Sequence, residues 1–293
     1  ARVRAIGEDA GGFRPISEKD LFDCEYWSLE QAKLGKGAPP KFQGKIVMIT
    51  GGSGTIGFAI AEAFSMLGAQ TILVDKDETA LKKAVTKLGV GHAYFPIDVT
   101  EADAADQAML AAIQNFGGLD ILVSNAGAAH AGPMLSISND ELRNAFELNF
   151  FSHYSFSTEA AKILKNQNRG GQILFNISKQ AVNPGKNFGA YGLPKATTFF
   201  LMRQLALELG SDGIRVNGIN ADRIRSGLLT DDFISSRAKS RGVSETEYMA
   251  GNILNKEVKA EHVANAFTSL ACAESTTGHV MTVDGGNIEA SLR

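Results

Sequence analysis

Seven short runs of β-branched and aliphatic residues recur along the chain from Lys45 onward, separated by segments long enough to be helices. The runs are residues 45–50, 71–75, 93–98, 119–125, 171–178, 214–220 and 279–284. Between the first two, Ile56, Ile60, Ala63, Phe64 and Leu67 fall on one helical face, and Gly68 follows as a stop. Residues 77–88, 101–116, 139–165 and 190–210 also read as helices, the third opened by a Ser138/Glu141 capping box. This strand–helix alternation predicts an α/β fold, a doubly wound parallel sheet of about seven strands with helices on both faces.

Composition narrows the class. The 293 residues are 44% hydrophobic and 21% charged, with 31 glycines, as expected of a soluble globular chain with many tight turns. A net charge of -3 gives no electrostatic case for nucleic acid or an anionic membrane as partner. Cys24 and Cys272 form neither a disulfide framework nor a zinc spacing, so a reducing cytoplasm is the expected location. His92, His153, His262 and His279 show no metal-ligand pattern, which predicts no metal site and a structural or exposed place for each. No apolar run is long enough to span a bilayer, and the N-terminus is too polar for a signal peptide.

Residues 1–44 differ in character from the rest. Ser17 with Asp20, and Ser28 with Gln31, each mark a helix start, and the Gly35–Pro40 stretch breaks the pattern. The segment is either a helical arm on the main domain or a linker from an upstream domain; the first residue is not methionine. Residues 45–293 are expected to form one domain. Within it, residues 224–254 interrupt the alternation with many charges and two short helices, near 230–241 and 244–250. An insertion there lies beyond the carboxyl edge of the sheet, as a mobile lid or a fixed cap.

The stretch Thr50-Gly51-Gly52-Ser53-Gly54-Thr55-Ile56-Gly57 joins the first strand to the first helix. Its glycines permit a tight turn and let backbone N–H groups, with Ser53, Thr55 and Ile56, approach a pyrophosphate at the helix N-terminus. Such a loop makes the fold Rossmann-type. Asp75 closes the second strand, where a carboxylate accepts hydrogen bonds from a ribose and repels a 2′-phosphate. NAD is therefore expected over NADP, although Lys76 could partly neutralise a phosphate. Tyr191 and Lys195, four residues apart on one helix face, place an ammonium near a phenol. A nearby cation favours the phenolate and moves its pKa toward the working range of a general base.

Taken with Asp98-Val99, Asn125-Ala126-Gly127, Asn149, Ser178, Thr277-Gly278 and Val283-Asp284-Gly285-Gly286, these features resemble the short-chain dehydrogenase/reductase superfamily over roughly residues 45–286. The resemblance implies that Asp98 and Val99 contact the adenine, and that Asn125, Ala126 and Gly127 line the cofactor's inner edge. It also implies a catalytic set: Tyr191 as base, Lys195 holding the ribose and tuning the tyrosine, Ser178 bonding the substrate oxygen, and Asn149 fixing a relay water. Ile224 and Ser226 fall where the family contacts the nicotinamide carboxamide.

The chain departs from the family in three places. Thr55 replaces a glycine of the loop, Ser178-Lys179 replaces a serine pair, and Ala221-Asp222 replaces Pro-Gly. The second leaves open whether Ser178 or Lys179 faces the substrate. Lys179, Lys186, Arg223 and Arg225 are expected to border one cleft with Asp222, which points to a small polar or anionic substrate. Salt bridging within the lid or between subunits is the alternative. His130, just past Asn125-Ala126-Gly127, is a further candidate to face the substrate.

The stretches Asn220–Leu229, Arg241–Ser244, Glu247–Asn252 and Asp284–Ala290 are similar to the dehydrogenase half of bifunctional aldolase/short-chain dehydrogenases of deoxysugar, chiefly L-rhamnose, catabolism. Phe22–Glu30 resembles the junction between the halves, so fusion to an aldolase is expected. That resemblance implies lactaldehyde as substrate. The competing readings are a reductase of 3-oxoacyl or sugar carbonyls and a non-catalytic NAD sensor. The family's helix pairing, with Phe146, Phe150, Phe199 and Phe200 as apolar surface, implies a homotetramer.

Overall fold

The computed structural model describes residues 17–22, 39–129, 131–227 and 229–287. The chain divides into two units, residues 1–40 and 41–293. In the first, residues 18–22 are helical. Ser17 opens this turn by accepting the Asp20 N–H at 3.1 Å, as its sequence predicts. Ser28, Gln31 and Cys24 lie outside the described residues.

In the second unit each of the seven apolar runs is a strand: β1 (Ile46–Thr50), β2 (Gln70–Asp75), β3 (Ala93–Pro96), β4 (Ile121–Ser124), β5 (Gly171–Asn176), β6 (Ile214–Ala221) and β7 (Val280–Val283). They form one sheet in the order β3-β2-β1-β4-β5-β6-β7, with every pair parallel. β1 is buried along its whole length, and its side chains alternate between two cores. Met48 joins the core roofed by α3 (Ala104–Phe116), α5 (Ser152–Gln167) and α6 (Gly189–Leu209). Val47 and Ile49 join the core roofed by α1 (Thr55–Met66), α2 (Glu78–Leu88) and α9 (Ala260–Cys272). Helices thus cover both faces, and strand order reverses between β1 and β4, where such sheets open a crevice for ligands.

Two helix starts follow their sequence signals. Ser138 and Glu141 form a capping box for α4 (Asn139–Phe146), and Ser244 and Glu247 form one for α8 (Glu245–Met249). The stretch expected as one helix over 139–165 is broken into α4, a π turn at Glu147–Phe151 and α5. After β6 the chain builds α7 (Asp231–Arg241) and α8, whose Ile234, Ala238, Tyr248 and Met249 pack with Leu229 in a small apolar cluster of their own. Among the described residues no helix is long and apolar enough to cross a membrane.

Candidate active site

A cavity of about 890 Å3 opens beyond the carboxyl ends of the strands. The β1–α1 loop forms one wall. Gly51 turns it with φ of +63°, and a Cβ on Gly57 would lie 2.1 Å from the Gly51 carbonyl oxygen, so helix and loop meet at a distance only glycine permits. The helix α1 begins after Gly54 with no side-chain cap. Its first N–H groups, on Thr55, Ile56 and Gly57, therefore lack side-chain acceptors, and all three residues line the cavity. An uncapped helix N-terminus behind a glycine turn fits the pyrophosphate of a dinucleotide.

Gly51, Gly54, Asp75, Asp98, Val99, Asn125, Ala126, Gly127, Ile224 and Ser226 also line the cavity, as anticipated. Ser53 does not: its hydroxyl donates to Asp75 Oδ2 at 2.7 Å, and its role is to hold that carboxylate at the end of β2. Lys76 is drawn to Asp98, 3.5 Å away.

Sequence reasoning overlooked two polar residues that tie the strand ends together. Thr50 Oγ1 accepts the backbone N–H of Asn125 at 2.9 Å and of Ala126 at 3.1 Å, joining β1 to the loop after β4. Asn176 donates from Nδ2 to Asn125 Oδ1 at 2.8 Å, while its own carbonyl accepts from Lys195 Nζ at 3.0 Å. A polar residue ending an apolar run was the available signal for both.

Ser178, Tyr191 and Lys195 stand together on the opposite wall. Tyr191 and Lys195 lie one turn apart on α6, with the ammonium 5.9 Å from the ring centroid. Burial pushes the tyrosine up to about 12, and a hydrogen bond with Ser178 pulls the other way. Burial also brings the lysine down to about 7. In the cofactor-free chain burial is thus the larger influence on Tyr191, and Ser178 is the neighbour that opposes it. Ser178 and Lys179 both face the cavity, so the two alternatives coexist.

His153 proves closer to this chemistry than its sequence context indicated. It is 1% exposed, with Nδ1 2.6 Å from Ser124 Oγ and Nε2 3.3 Å from Lys195 Nζ. Burial, then the neighbouring lysine charge, hold the imidazole well below its ordinary pKa and hence neutral. A neutral ring accepts a hydrogen bond from the ammonium, so His153 and Asn176 fix two directions around Lys195 Nζ. Asn149 sits behind the cavity wall, fully buried in the π turn. Its Nδ2 donates to the Ala128 carbonyl at 2.9 Å, and its own carbonyl accepts from Thr198 Oγ1 at 2.7 Å.

The loop after β6 departs from expectation at one residue. Arg225 turns away to Glu257 and Asp231 and does not line the cavity. Lys179, Lys186, Asp222 and Arg223 do line it, joined by Arg237 and Arg241 of α7, which the sequence did not single out. Asp222 Oδ2 accepts from Asn287 Nδ2 at 2.6 Å and Lys179 Nζ at 3.3 Å, and it forms an ion pair with Arg223 Nε at 3.4 Å. His130 lies outside the described residues.

Residues 52–287 match the protein family described as enoyl-(acyl carrier protein) reductase, one branch of a wider group. The chain belongs to the short-chain dehydrogenase/reductase family. It is an oxidoreductase of carbonyl or alcohol substrates with a nicotinamide dinucleotide cofactor. Residues 1–34 match the second domain of class II aldolases, in keeping with the resemblance to two-part aldolase/dehydrogenase proteins. Among curated relatives, the uncharacterized oxidoreductase YuxG of Bacillus subtilis is 34% identical over 291 residues, covering 94% of this chain. The chain spans 42% of that relative's length. L-sorbose reductase from Gluconobacter frateurii, solved with NADPH and L-sorbose, superposes with a TM-score of 0.78 at 28% identity, over 85% of this chain and 98% of that one. The 3-ketoacyl-(acyl-carrier-protein) reductase of Brucella melitensis, solved with NADH, gives 0.75 at 25% identity, over 84% and 99%.

The lowered lysine has a consequence for stability. Between pH 7 and the ordinary lysine value of 10.5, the unfolded chain binds a proton at Lys195 that the folded, cofactor-free chain does not. Stability therefore rises with pH through that window on account of this group. Urea unfolding of the wild type and Lys195→Met should show the wild type gaining on the variant by at least about 1 kcal/mol between pH 6.5 and 9.5. A constant difference would show that Lys195 keeps its ordinary pKa.

Proposed function

We propose that this chain is an NAD-dependent dehydrogenase that transfers hydride between the nicotinamide and a small polar or anionic hydroxyaldehyde or alcohol of the lactaldehyde type. The observation that carries the reading is the placement of Ser178, Tyr191 and Lys195 in the same cavity as the uncapped start of α1 and Asp75. When bound, the cofactor supplies the hydride acceptor or donor. The protein's part is to hold the partner carbon and to move a proton. Ser178 donates to the reacting oxygen, and Tyr191 takes the hydroxyl proton in oxidation or returns it in reduction.

Lys195, already fixed by Asn176 and His153, directs its remaining N–H into the cavity, where a ribose hydroxyl and the tyrosine oxygen are its natural partners. Asn149 keeps the loop at Ala128 in place, and in this reading it fixes the water that relays protons from Lys195 to solvent. An aldehyde hydrate offers Tyr191 a hydroxyl just as an alcohol does, so oxidation to a carboxylate needs no cysteine nucleophile.

Asp75 supports NAD over NADP, since a 2′-phosphate at the end of β2 would meet a carboxylate braced by Ser53. The structural neighbours themselves divide between NADH and NADPH. An acyl-thioester substrate, as the family description and the ketoacyl reductase would suggest, needs a long apolar channel; the charged group around Asp222 opposes one. A place in deoxysugar catabolism beside an aldolase, and assembly as a homotetramer, belong to the same reading. Phe151, Tyr154 and Phe200 are exposed apolar surface available for the latter.

A panel of small aldehydes and alcohols with NAD and NADP, followed by nicotinamide absorbance, tests the activity. Tyr191→Phe is expected to lower kcat by about 10²–10⁴-fold with NAD binding retained, because a positioned acid–base group contributes on that order. Turnover close to wild type in that variant would remove Tyr191 from the mechanism. Asp75→Ala should narrow the preference for NAD, and an unchanged ratio would place the adenosine elsewhere. Sedimentation velocity should show a tetramer, and a monomer at micromolar concentration would refute the assembly.

A further inference from the structure

The positive charge in the substrate half of the cavity is in excess and partly buried. Lys179 and Arg223 have side chains 15% and 12% exposed, yet both lean on one carboxylate oxygen, Asp222 Oδ2, which also accepts from Asn287. Two half-buried cations sharing one carboxylate leave a net positive charge, which favours the arrival of an anion. Arg223 has other partners: its guanidinium donates to the carbonyls of Tyr248 at 2.8 Å and Gly251 at 3.2 Å and stacks on the Tyr248 ring. Among the described residues the Lys179 ammonium leans on Asp222 alone, at 3.3 Å, and it directly follows Ser178.

Across the same cavity, Arg237 is half-buried, with its guanidinium 5.1 Å from the Phe188 ring centroid and 5.4 Å from that of Phe233. Aromatic rings fix a guanidinium and leave its N–H edge available. Among the described residues no carboxylate lies within ion-pair distance of it, nor of Lys186 or Arg241, which line the cavity too. Lys179, Lys186, Arg223, Arg237 and Arg241 thus line this cavity, with Asp222 as the carboxylate that Lys179 and Arg223 share. The dinucleotide does not account for them, because its pyrophosphate belongs at the start of α1, on the far side of β4 from Lys179.

We infer that Lys179 and Arg237 form an oxyanion subsite beside the reacting carbon. This rests on the hydride-transfer reading and narrows its substrate class. The oxyanion has two possible sources. It is a carboxylate formed at the reacting carbon, when an aldehyde hydrate loses a hydride to NAD and its protons to base and solvent, leaving RCOO− and NADH. Otherwise it is a phosphate ester carried on a neighbouring carbon.

Isothermal titration of the full chain loaded with NADH separates these sources with three ligands on one three-carbon skeleton: lactate, propane-1,2-diol 1-phosphate and neutral propane-1,2-diol. At least one anion should bind about tenfold or more tightly than the diol, the effect of one charge-assisted hydrogen bond. Preference for lactate identifies the carboxylate source; preference for the phosphate identifies a phosphorylated substrate. Lys179→Met should collapse the ratio to near one. If that variant fails to fold because Asp222 loses a partner, Arg237→Gln, on the lid, reads the same ratio. Equal binding of all three ligands, or a ratio untouched by both substitutions, overturns the subsite. Turnover of lactaldehyde with NAD, measured alongside, bears on hydride transfer alone: its absence with anion preference intact would sink that reading and leave the subsite standing.

Discussion

A lysine amine with 2% exposure sets the terms for the rest of this site. A polar group so deeply placed needs acceptors from several elements at once, and Lys195 finds them in the Asn176 carbonyl at the end of β5 and the His153 ring on α5. Those partners in turn require others. Asn176 reaches Asn125, Asn125 and Ala126 hang on the Thr50 hydroxyl, and His153 rests on Ser124. The network runs along the carboxyl ends of β1, β4 and β5, so the lysine's place is tied to the register of the sheet. His153 and Ser124 are both 1% exposed, which suits that branch to holding Lys195 in position.

The all-parallel sheet explains why so many functional groups meet. Parallel strands bring all their carboxyl ends to one edge, and the reversal of strand order between β1 and β4 opens that edge to a ligand. One side of the opening presents bare helix N–H groups and a braced carboxylate, suited to a dinucleotide. The other presents a phenol, a serine and an excess of cations, suited to a small anionic or polar partner. The two ends of the cavity therefore offer different chemistry, suited to two different ligands.

Much of this was legible in the sequence. The apolar runs marked all seven strands, because a strand covered on both faces reads as a continuous hydrophobic stretch. Ser138/Glu141 and Ser244/Glu247 marked helix starts through a local hydrogen-bond exchange that needs only four residues. The Tyr191/Lys195 spacing marked a shared helix face. What stayed hidden depends on distant partners or on broken periodicity. A single π turn at Glu147–Phe151 leaves no repeat to detect, and the phenylalanines around it read equally well as α-helix. His153 lies 42 residues from Lys195, so nothing local revealed the contact. Arg223 and Arg225 are nearly adjacent yet face different partners, because Arg223 takes a left-handed backbone conformation with φ of 53° that redirects the chain. The upward push of burial on Tyr191 was hidden for a related reason: spacing shows which charge is near, whereas burial is set by the whole fold.

The central claim is that this cavity passes hydride from a small substrate carbon to a nicotinamide. Lactaldehyde carrying deuterium on its aldehyde carbon, incubated with the protein and NAD, tests it most directly by mass spectrometry of the recovered nucleotide. The account predicts one deuterium in the NADH formed and a slower reaction than with unlabelled substrate. NADH formed without deuterium, or no nucleotide reduction with this or any related aldehyde or alcohol, would contradict it.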